Sequence, residues 1–219
     1  MNKLLTLLAL LLLVPVSHAA SFEEGIDYQK VATPQPPVDD DGRIEVLELF
    51  WYGCPHCYHL EPELNAWLKN KPADVDFVRI PAVLGPSWEL LARGYYTAQV
   101  LGVLDKIHEP LFDHIHKDRK PIRNVADLKA FFEQQGVSGE DFDKGYNSFA
   151  VVTDTNRARD VHNRYGVTGV PTLIVDGRYR TTASLTGSNE KMLKVVDFLI
   201  DKVSKEKGAP VAAVPEAAH

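Results

Sequence analysis

Apolar residues along the chain form strand-like runs near both ends and helix-like spacing between them. Residues 44–50 are mostly apolar on both faces, which is typical of a buried central strand, and residues 75–80 predict a second strand. Strand patterns return at residues 172–175 and 178–182, on either side of a hairpin turn signal at Asp176-Gly177.

Between the strand-rich parts, residues 84–160 show the spacing of amphipathic helices and contain no convincing strand. The predicted helices cover residues 55–70, 87–101, 104–116, 125–135 and 149–165, with a short helix after Ser138 and a last helix from Asn189. The predicted N-caps are Ser87, Asn124, Ser138 and Asn189. We expect Pro62 to kink the first of these helices and Pro110 to interrupt the third.

The two ends of the chain differ in composition from the rest. Lys3 and the leucine-rich residues 4–14 predict an export signal over residues 1–19, with small residues that permit cleavage after Ala19 or Ala20. The apolar run is too short to span a bilayer, although an uncleaved membrane anchor is the alternative. Residues 209–219 are rich in alanine and proline and predict a disordered tail.

Length and charge limit the architecture and the partners. A chain of 219 residues is long enough for one core that carries an insertion. The element order predicts an α/β domain over residues 20–85 and 160–208, interrupted by a helical insertion over residues 86–159, and residues 28–31 predict an edge strand. A formal net charge of −6, with no stretch rich in lysine and arginine, argues against nucleic-acid binding.

The candidate chemistry centres on Cys54 and Cys57, the two cysteines of the chain, at the predicted junction of a strand and a helix. Free N–H groups and the helix dipole at such a junction stabilise a thiolate. We expect Cys54 to be the exposed nucleophile and Cys57 the covered resolving thiol. Pro55 and His56 lie between them, and His56 adds a donor or a positive charge. Because a stabilised thiolate favours the reduced form, the pair is predicted to donate its disulfide.

Two other interpretations of the cysteine pair are less well supported. A purely structural disulfide would close a very short ring, which restricts the unfolded chain little. A zinc site would use the two cysteines with His56 and His59, but no second Cys-x-x-Cys or His-x-x-x-His pair accompanies them. We therefore expect no metal or other cofactor, and we expect His59 on the exposed side of its helix.

Two further features lie far apart in the sequence. Glu48 interrupts an apolar strand six residues before Cys54, where burial without a partner would raise its pKa and let it exchange a proton with Cys57. The alternatives are a glutamate that reaches solvent or one that pairs with a lysine. Val170-Pro171 directly precedes a strand, at a place where a proline adopts either a cis bond or an ordinary strand start.

The remaining histidines and aromatic residues carry weaker signals. His108, His114 and His116 are interpreted as solvated helix residues rather than metal ligands, and Phe131, Phe132 and Tyr95 as core residues. Trp51 and Tyr52, beside the cysteines, either shape an apolar surface or pack in the core.

The motifs together resemble the DsbA type of thiol:disulfide interchange protein in the thioredoxin superfamily. The resemblance rests on residues 50–58 (Phe-Trp-Tyr-Gly-Cys-Pro-His-Cys-Tyr), on Glu48, on residues 168–172 (Thr-Gly-Val-Pro-Thr) and on the helical insertion. It covers nearly all of the chain after the export signal. Cys-x-x-Cys alone is a weak signal, but Cys-Pro-His-Cys followed about 115 residues later by Val-Pro is specific.

This resemblance implies a thioredoxin fold in which Cys54 attacks and the Val170–Pro171 bond is cis beside it. It implies that the Val170 backbone pairs with an extended substrate peptide, and that a quinone-linked membrane partner of the DsbB type reoxidises the cysteines. We therefore expect a monomeric periplasmic disulfide oxidase that acts on reduced, unfolded, newly exported proteins. The alternatives are an isomerase or reductase on the same scaffold, and a peptide-binding module whose Cys-x-x-Cys binds metal.

Overall fold

The computed structural model describes residues 21–36 and 42–208. The predicted export signal, the predicted tail and the aspartates at 39–41 lie outside the described residues. The strands are β1 (Gln29–Lys30), β2 (Ile44–Phe50), β3 (Val75–Pro81), β4 (Thr172–Val175) and β5 (Tyr179–Thr182). The helices are α1 (Pro55–Asn70), α2 (Pro86–Val100), α3 (Leu104–His116), α4 (Val125–Gln134), α5 (Gly139–Tyr146), α6 (Phe149–Arg164), α7 (Ala183–Thr186) and α8 (Asn189–Gly208).

The five strands form one mixed sheet in the order β1-β5-β4-β2-β3. β2 lies at its centre, parallel to β3 and antiparallel to β4, and all seven of its residues are buried. This confirms the predicted α/β class, with helices α2 to α6 inserted between β3 and β4 and no strand among them. The domain boundaries given above remain a prediction.

Alternating residues of β2 face two different cores. Leu47 and Leu49 pack into a core shared with the inserted helices, whereas Val46 packs against apolar residues of α1 and α8. Because successive strand residues point to opposite faces, Glu48 faces the same side as Val46, beneath α1. The sheet register places Glu48 directly beside Arg79 of β3.

Several local predictions were wrong in instructive ways. Ser87 does not cap α2, which begins after Gly85 with Pro86 in its first turn, and α3 continues through Pro110. A helix accommodates a proline where tertiary packing outweighs the lost hydrogen bond.

Ser188, rather than Asn189, caps α8, because its Oγ accepts the N–H of Lys191. Helix α7 was not predicted.

Other caps and ends agree with the prediction. Asn124 and Ser138 accept the N–H groups of Asp127 and Asp141, as expected of N-caps. Pro62 lies inside α1, and the kink expected there stays a prediction. None of the helices among the described residues has the length and apolar composition of a membrane span.

Candidate active site

Cys54 and Cys57 lie where β2 gives way to α1. Cys54 is the N-cap residue of α1 and Pro55 its first residue, where a missing N–H costs nothing. The Cys54 N–H donates to the Trp51 carbonyl at 2.9 Å, which tightens the turn before the helix. Cys54 keeps 8% of its surface exposed and Cys57 none, while Pro55, His56 and His59 are exposed. The predicted order of accessibility and the exposure of His59 are confirmed, whereas Cys54 is largely buried and not exposed as expected.

The two thiols, both reduced in this structure, have opposite acidities. A hydrogen bond from the Cys57 side chain lowers the pKa of Cys54 to about 6, against the effect of burial, and the backbone N–H groups of Cys57 and His56 and the charge of His56 add to it. Burial raises the pKa of Cys57, and its hydrogen bond to Cys54 raises it further. The pair therefore holds one thiolate and one thiol near neutral pH.

The Val170–Pro171 segment lies directly beside the reactive sulfur. The peptide bond between Val170 and Pro171 is cis, as the resemblance implied. In its protonated form the Cys54 thiol donates to the carbonyl oxygen of Val170 at a Sγ–O distance of 3.5 Å, across 116 residues of sequence. Thr172 Oγ1 donates to the carbonyl of Gly169 at 2.8 Å and so ties the loop to β4. The fold thus brings two of the predicted site segments together.

Glu48 is completely buried, but it is not without a partner. Arg79 donates from Nε to Glu48 Oε2 at 2.8 Å, and its Nη2 lies 3.1 Å from Oε2 of Glu61 on α1. Burial raises the pKa of Glu48 to about 7, Arg79 lowers it in part, and the negative charge of Glu61 raises it again. Arginine takes the place of the lysine considered above, and Glu48 also raises the pKa of Cys57.

His108 continues this buried network into the helical insertion, contrary to the interpretation of it as a solvated residue. Its Nδ1 accepts the hydroxyl of Tyr52 at 2.7 Å, and its Nε2 lies 3.4 Å from Glu61 Oε1. Burial lowers the pKa of His108 and so favours the neutral ring, and the Glu61 carboxylate opposite Nε2 favours the tautomer that carries its proton there. Tyr52 is fully buried and belongs to the core.

His116 and His114 are partly buried rather than fully solvated. Nε2 of His116 donates to the carbonyl of Tyr52 at 2.7 Å, and the ring stacks on Tyr58 at a centroid distance of 4.9 Å. His114 packs edge-on against Phe131. Two histidines of α3 therefore contact opposite ends of Tyr52, two residues before Cys54.

Trp51 closes the other side of the loop. Its indole stacks on Trp88 of α2, with ring centroids 4.2 Å apart, and it covers Gly53 so closely that a Cβ there would lie 2.4 Å from the ring. Gly53 is therefore required by this close approach. Phe131, Phe132 and Tyr95 are buried as predicted.

The residues that were not predicted have only faint sequence signals. Arg79 is a single cation in an otherwise apolar strand end, Glu61 lies four residues after Cys57, and His108 and His116 flank Phe112 at intervals of four. Spacing of four places side chains on one helix face, which is the signal that indicates a shared contact. No group of histidine, cysteine, aspartate and glutamate side chains in the described part of the chain is arranged to hold a metal ion.

A cavity of about 670 Å³ adjoins the loop at Val170 and Pro171. His56 and His59 of α1 form one wall, and Arg180 of β5 forms part of another.

Known proteins share this fold and much of this sequence. The family model of the DSBA-like thioredoxin domain matches residues 45–194. A thiol:disulfide interchange protein DsbA of Pseudomonas syringae pv. tomato is 43% identical over 195 residues, which are 89% of this chain and 89% of the relative. Its counterpart from Burkholderia cepacia is 35% identical over 212 residues, 94% of this chain and 100% of the relative.

Solved structures agree with this result. The crystal structure of Pseudomonas aeruginosa DsbA matches with a TM-score of 0.81 and 38% identity, over 86% of this chain and 97% of that chain. The structure of the oxidoreductase DsbA from Xylella fastidiosa matches with a TM-score of 0.77 and 35% identity, over 88% of this chain and 100% of that chain. The chain belongs to the DsbA-like family of thioredoxin-fold thiol:disulfide oxidoreductases.

Proposed function

We propose that this protein is a periplasmic disulfide oxidase that passes the Cys54–Cys57 disulfide to reduced, unfolded proteins after their export. The observation that carries the direction of transfer is the lowered pKa of the Cys54 thiol, to about 6. A thiolate stabilised in the reduced form makes the disulfide easier to reduce, by roughly 30 mV for each 1.4 kcal/mol. The leucine-rich export signal supports the compartment, and the disulfide itself is the redox group, without a resident cofactor.

The reaction proceeds through one mixed disulfide. A substrate thiolate attacks Sγ of Cys54, the bond between the two protein sulfurs breaks, and Cys57 leaves and gains a proton. A second substrate thiolate attacks the substrate sulfur of the mixed disulfide, and Cys54 leaves as a thiolate. The substrate loses two electrons, and the protein holds them as two reduced cysteines. A quinone-linked membrane partner of the DsbB type then removes them.

The neighbouring groups have separate parts in this scheme. The Val170 carbonyl, 3.5 Å from Cys54 Sγ, marks the backbone edge along which an extended substrate pairs as an added strand. Pro55 and His56 shape and charge the helix end that carries Cys54. Glu48, buried beneath α1 and half-protonated near pH 7, gives a proton to Cys57 when it leaves and accepts one when it attacks. The protein works as a monomer in this scheme.

The thiolate titration tests the proposed direction. We expect the ultraviolet absorbance of the reduced protein to show a thiolate appearing with a midpoint near pH 6, because the Cys57 hydrogen bond lowers the pKa of Cys54 to about 6. The free energy of unfolding of the reduced form should therefore increase, relative to that of the oxidised form, as the pH rises from about 6 toward 9. This increase is absent below pH 6. Cys54→Ala is the control, since Cys57 does not ionise in this range.

A midpoint near the ordinary value of about 8.5 would contradict the oxidase assignment. It would favour a reductase or isomerase on the same fold. The reduction potential, measured against glutathione, gives an independent check and is expected to be more oxidising than that of glutathione.

Glu48→Gln is expected to slow the attack of Cys57 on a mixed disulfide about a hundredfold, which is the low end of the contribution of general acid–base catalysis. The wild-type rate should rise as the pH passes about 7, because the carboxylate form accepts the Cys57 proton, and this rise should be missing in the variant. Stopped-flow measurement of mixed-disulfide release from pH 5 to 9 provides the test, with the exposed Glu63→Gln as the matched control. Equal rates in Glu48→Gln and wild type would contradict the proposed proton transfer between Glu48 and Cys57.

A further inference from the structure

The charges around the cavity beside Pro171 differ from those of the chain as a whole. The chain carries a net charge of −6, yet the residues that line the cavity include Arg180, His56 and His59 and no aspartate or glutamate. The rest of the lining is uncharged. A concave surface with charge of one sign attracts ligand groups of the opposite sign.

Arg180 is held on the cavity wall by neutral acceptors. Its Nη2 donates to Gln29 Oε1 at 2.9 Å and its Nε to the same oxygen at 3.2 Å. Its Nη1 donates to the carbonyl of Tyr165 at 3.1 Å and to that of Gly166. No carboxylate of the described residues forms an ion pair with it, whereas Arg178, two residues earlier, pairs with Glu206 at 2.7 Å.

These four hydrogen bonds occupy four of the five N–H groups of a guanidinium. One N–H remains for a ligand, and the positive charge is not neutralised by any of the partners. The guanidinium is also fixed in place, so a ligand need not order it. The geometry gives Arg180 the properties of an anion-recognising side chain.

The cavity lies within reach of a substrate bound at Cys54. Val170 and Pro171 belong to its lining, and the Val170 carbonyl is 3.5 Å from the Cys54 sulfur. A peptide paired with the Val170 backbone directs alternate side chains to opposite sides of its own strand. Residues next to the substrate cysteine are therefore placed against the cavity wall.

We propose that this cavity is a specificity site for acidic side chains, so that cysteines with an aspartate or glutamate within about two residues are the preferred substrates. The proposal rests on the function proposed above and adds a substrate class to it. Arg180 supplies a hydrogen bond and the fixed charge, and the exposed His56 and His59 supply further donors at the open side. Carboxylates are the side chains that a guanidinium binds best.

The test uses reduced two-cysteine peptides that differ in one residue near the first cysteine, which is aspartate, asparagine or lysine. That residue is placed in turn one or two positions before and after the cysteine. The rate at which the wild-type protein oxidises each peptide is divided by the rate at which a small uncharged disulfide compound oxidises the same peptide. This ratio corrects for the intrinsic reactivity of the peptide thiol. We expect kcat/KM for the aspartate peptide to exceed that for the asparagine peptide about fivefold at the best position, equivalent to about 1 kcal/mol.

Two variants with matched controls locate the preference. Arg180→Gln is expected to bring the aspartate-to-asparagine ratio close to one, even if the lost bonds to Tyr165 and Gly166 slow all peptides alike, whereas Arg178→Gln keeps the ratio. His59→Glu places a carboxylate on the exposed cavity wall and should reverse the preference toward lysine. Ala66→Glu adds the same charge at an exposed position of α1 that does not line the cavity, and it should leave the preference for aspartate unchanged.

Equal normalised rates for the three peptides at all positions would overturn the specificity site while leaving the oxidase function intact. A preference for aspartate that survives in both Arg180→Gln and His59→Glu would also overturn the specificity site and leave the oxidase function intact. Failure to oxidise any of the peptides would instead contradict the proposed function. The two failures are therefore distinguishable within one set of measurements.

Discussion

Cys54→Ser is expected to abolish disulfide transfer, because a serine hydroxyl cannot form the mixed disulfide through which the electrons pass. Cys57→Ser should behave differently: it retains the accessible sulfur beside Val170, cannot release a bound substrate through Cys57, and should accumulate covalent complexes. Each change replaces one sulfur by an oxygen in a side chain of nearly the same shape, so the fold should survive, although a serine hydroxyl at the buried position 57 lowers the free energy of unfolding somewhat. The measurements are oxidation of a reduced unfolded substrate and non-reducing electrophoresis of the complexes.

The contrast between the two variants separates an enzyme from a peptide-binding module. A binding module would hold peptides equally well with either serine and would trap no covalent complex. Transfer that persists in Cys54→Ser, or equal trapping in both variants, would contradict the assignment of Cys54 as the attacking sulfur. A loss of stability, checked by urea unfolding of the reduced forms, would appear as a changed midpoint and not as a changed pattern of complexes.

The cysteine pair could be predicted because its signal is local, whereas the cis bond of Val170-Pro171 and its place beside Cys54 were implied only by the family resemblance. A Cys-x-x-Cys between an apolar strand and a helical pattern indicates a helix N-terminus by itself, and the structure places Cys54 there. The partner of Glu48 could not be found in the same way. It depends on the register that sets β2 beside β3, in which Glu48 lies next to Arg79.

The histidines show a second limit of local reasoning. On α3 alone, His108 and His116 have the polarity of solvent-facing residues, and only the packing of the insertion on the catalytic loop buries His108 and covers part of His116. There His108 accepts the Tyr52 hydroxyl, and His116 donates to the Tyr52 carbonyl. Periodicity gives the face of a helix but not which neighbour covers it.

This packing changes the interpretation of the helical insertion. The loop that carries Cys54 is held from α2 through the Trp51–Trp88 stack and from α3 through Tyr52. The helix end that stabilises the thiolate is therefore fixed from both the thioredoxin part and the insertion. A preorganised site of this kind keeps its N–H donors aimed at the sulfur without reorganisation.

The buried network predicts the largest effect on stability. Arg79 lies between two buried carboxylates, with Nε 2.8 Å from Glu48 and Nη2 3.1 Å from Glu61. Arg79→Met keeps much of the apolar volume but leaves both carboxylates without a cation, and we expect it to lower the free energy of unfolding by about 3–5 kcal/mol at pH 8. The exposed Arg157→Met is the control and should change it little.

The pH dependence of this loss identifies its cause. Without Arg79, the pKa of both carboxyl groups is expected to lie above the unfolded value, so their penalty is absent below about pH 4.5 and grows as the pH rises. The loss in Arg79→Met should therefore be much smaller at pH 5 than at pH 8 in urea unfolding. Adding Glu48→Gln, which removes one of the two charges, should restore part of the stability at pH 8 and little at pH 5. A loss of equal size at both pH values, or no recovery in the double variant, would show that Arg79 acts through packing and not through its charge.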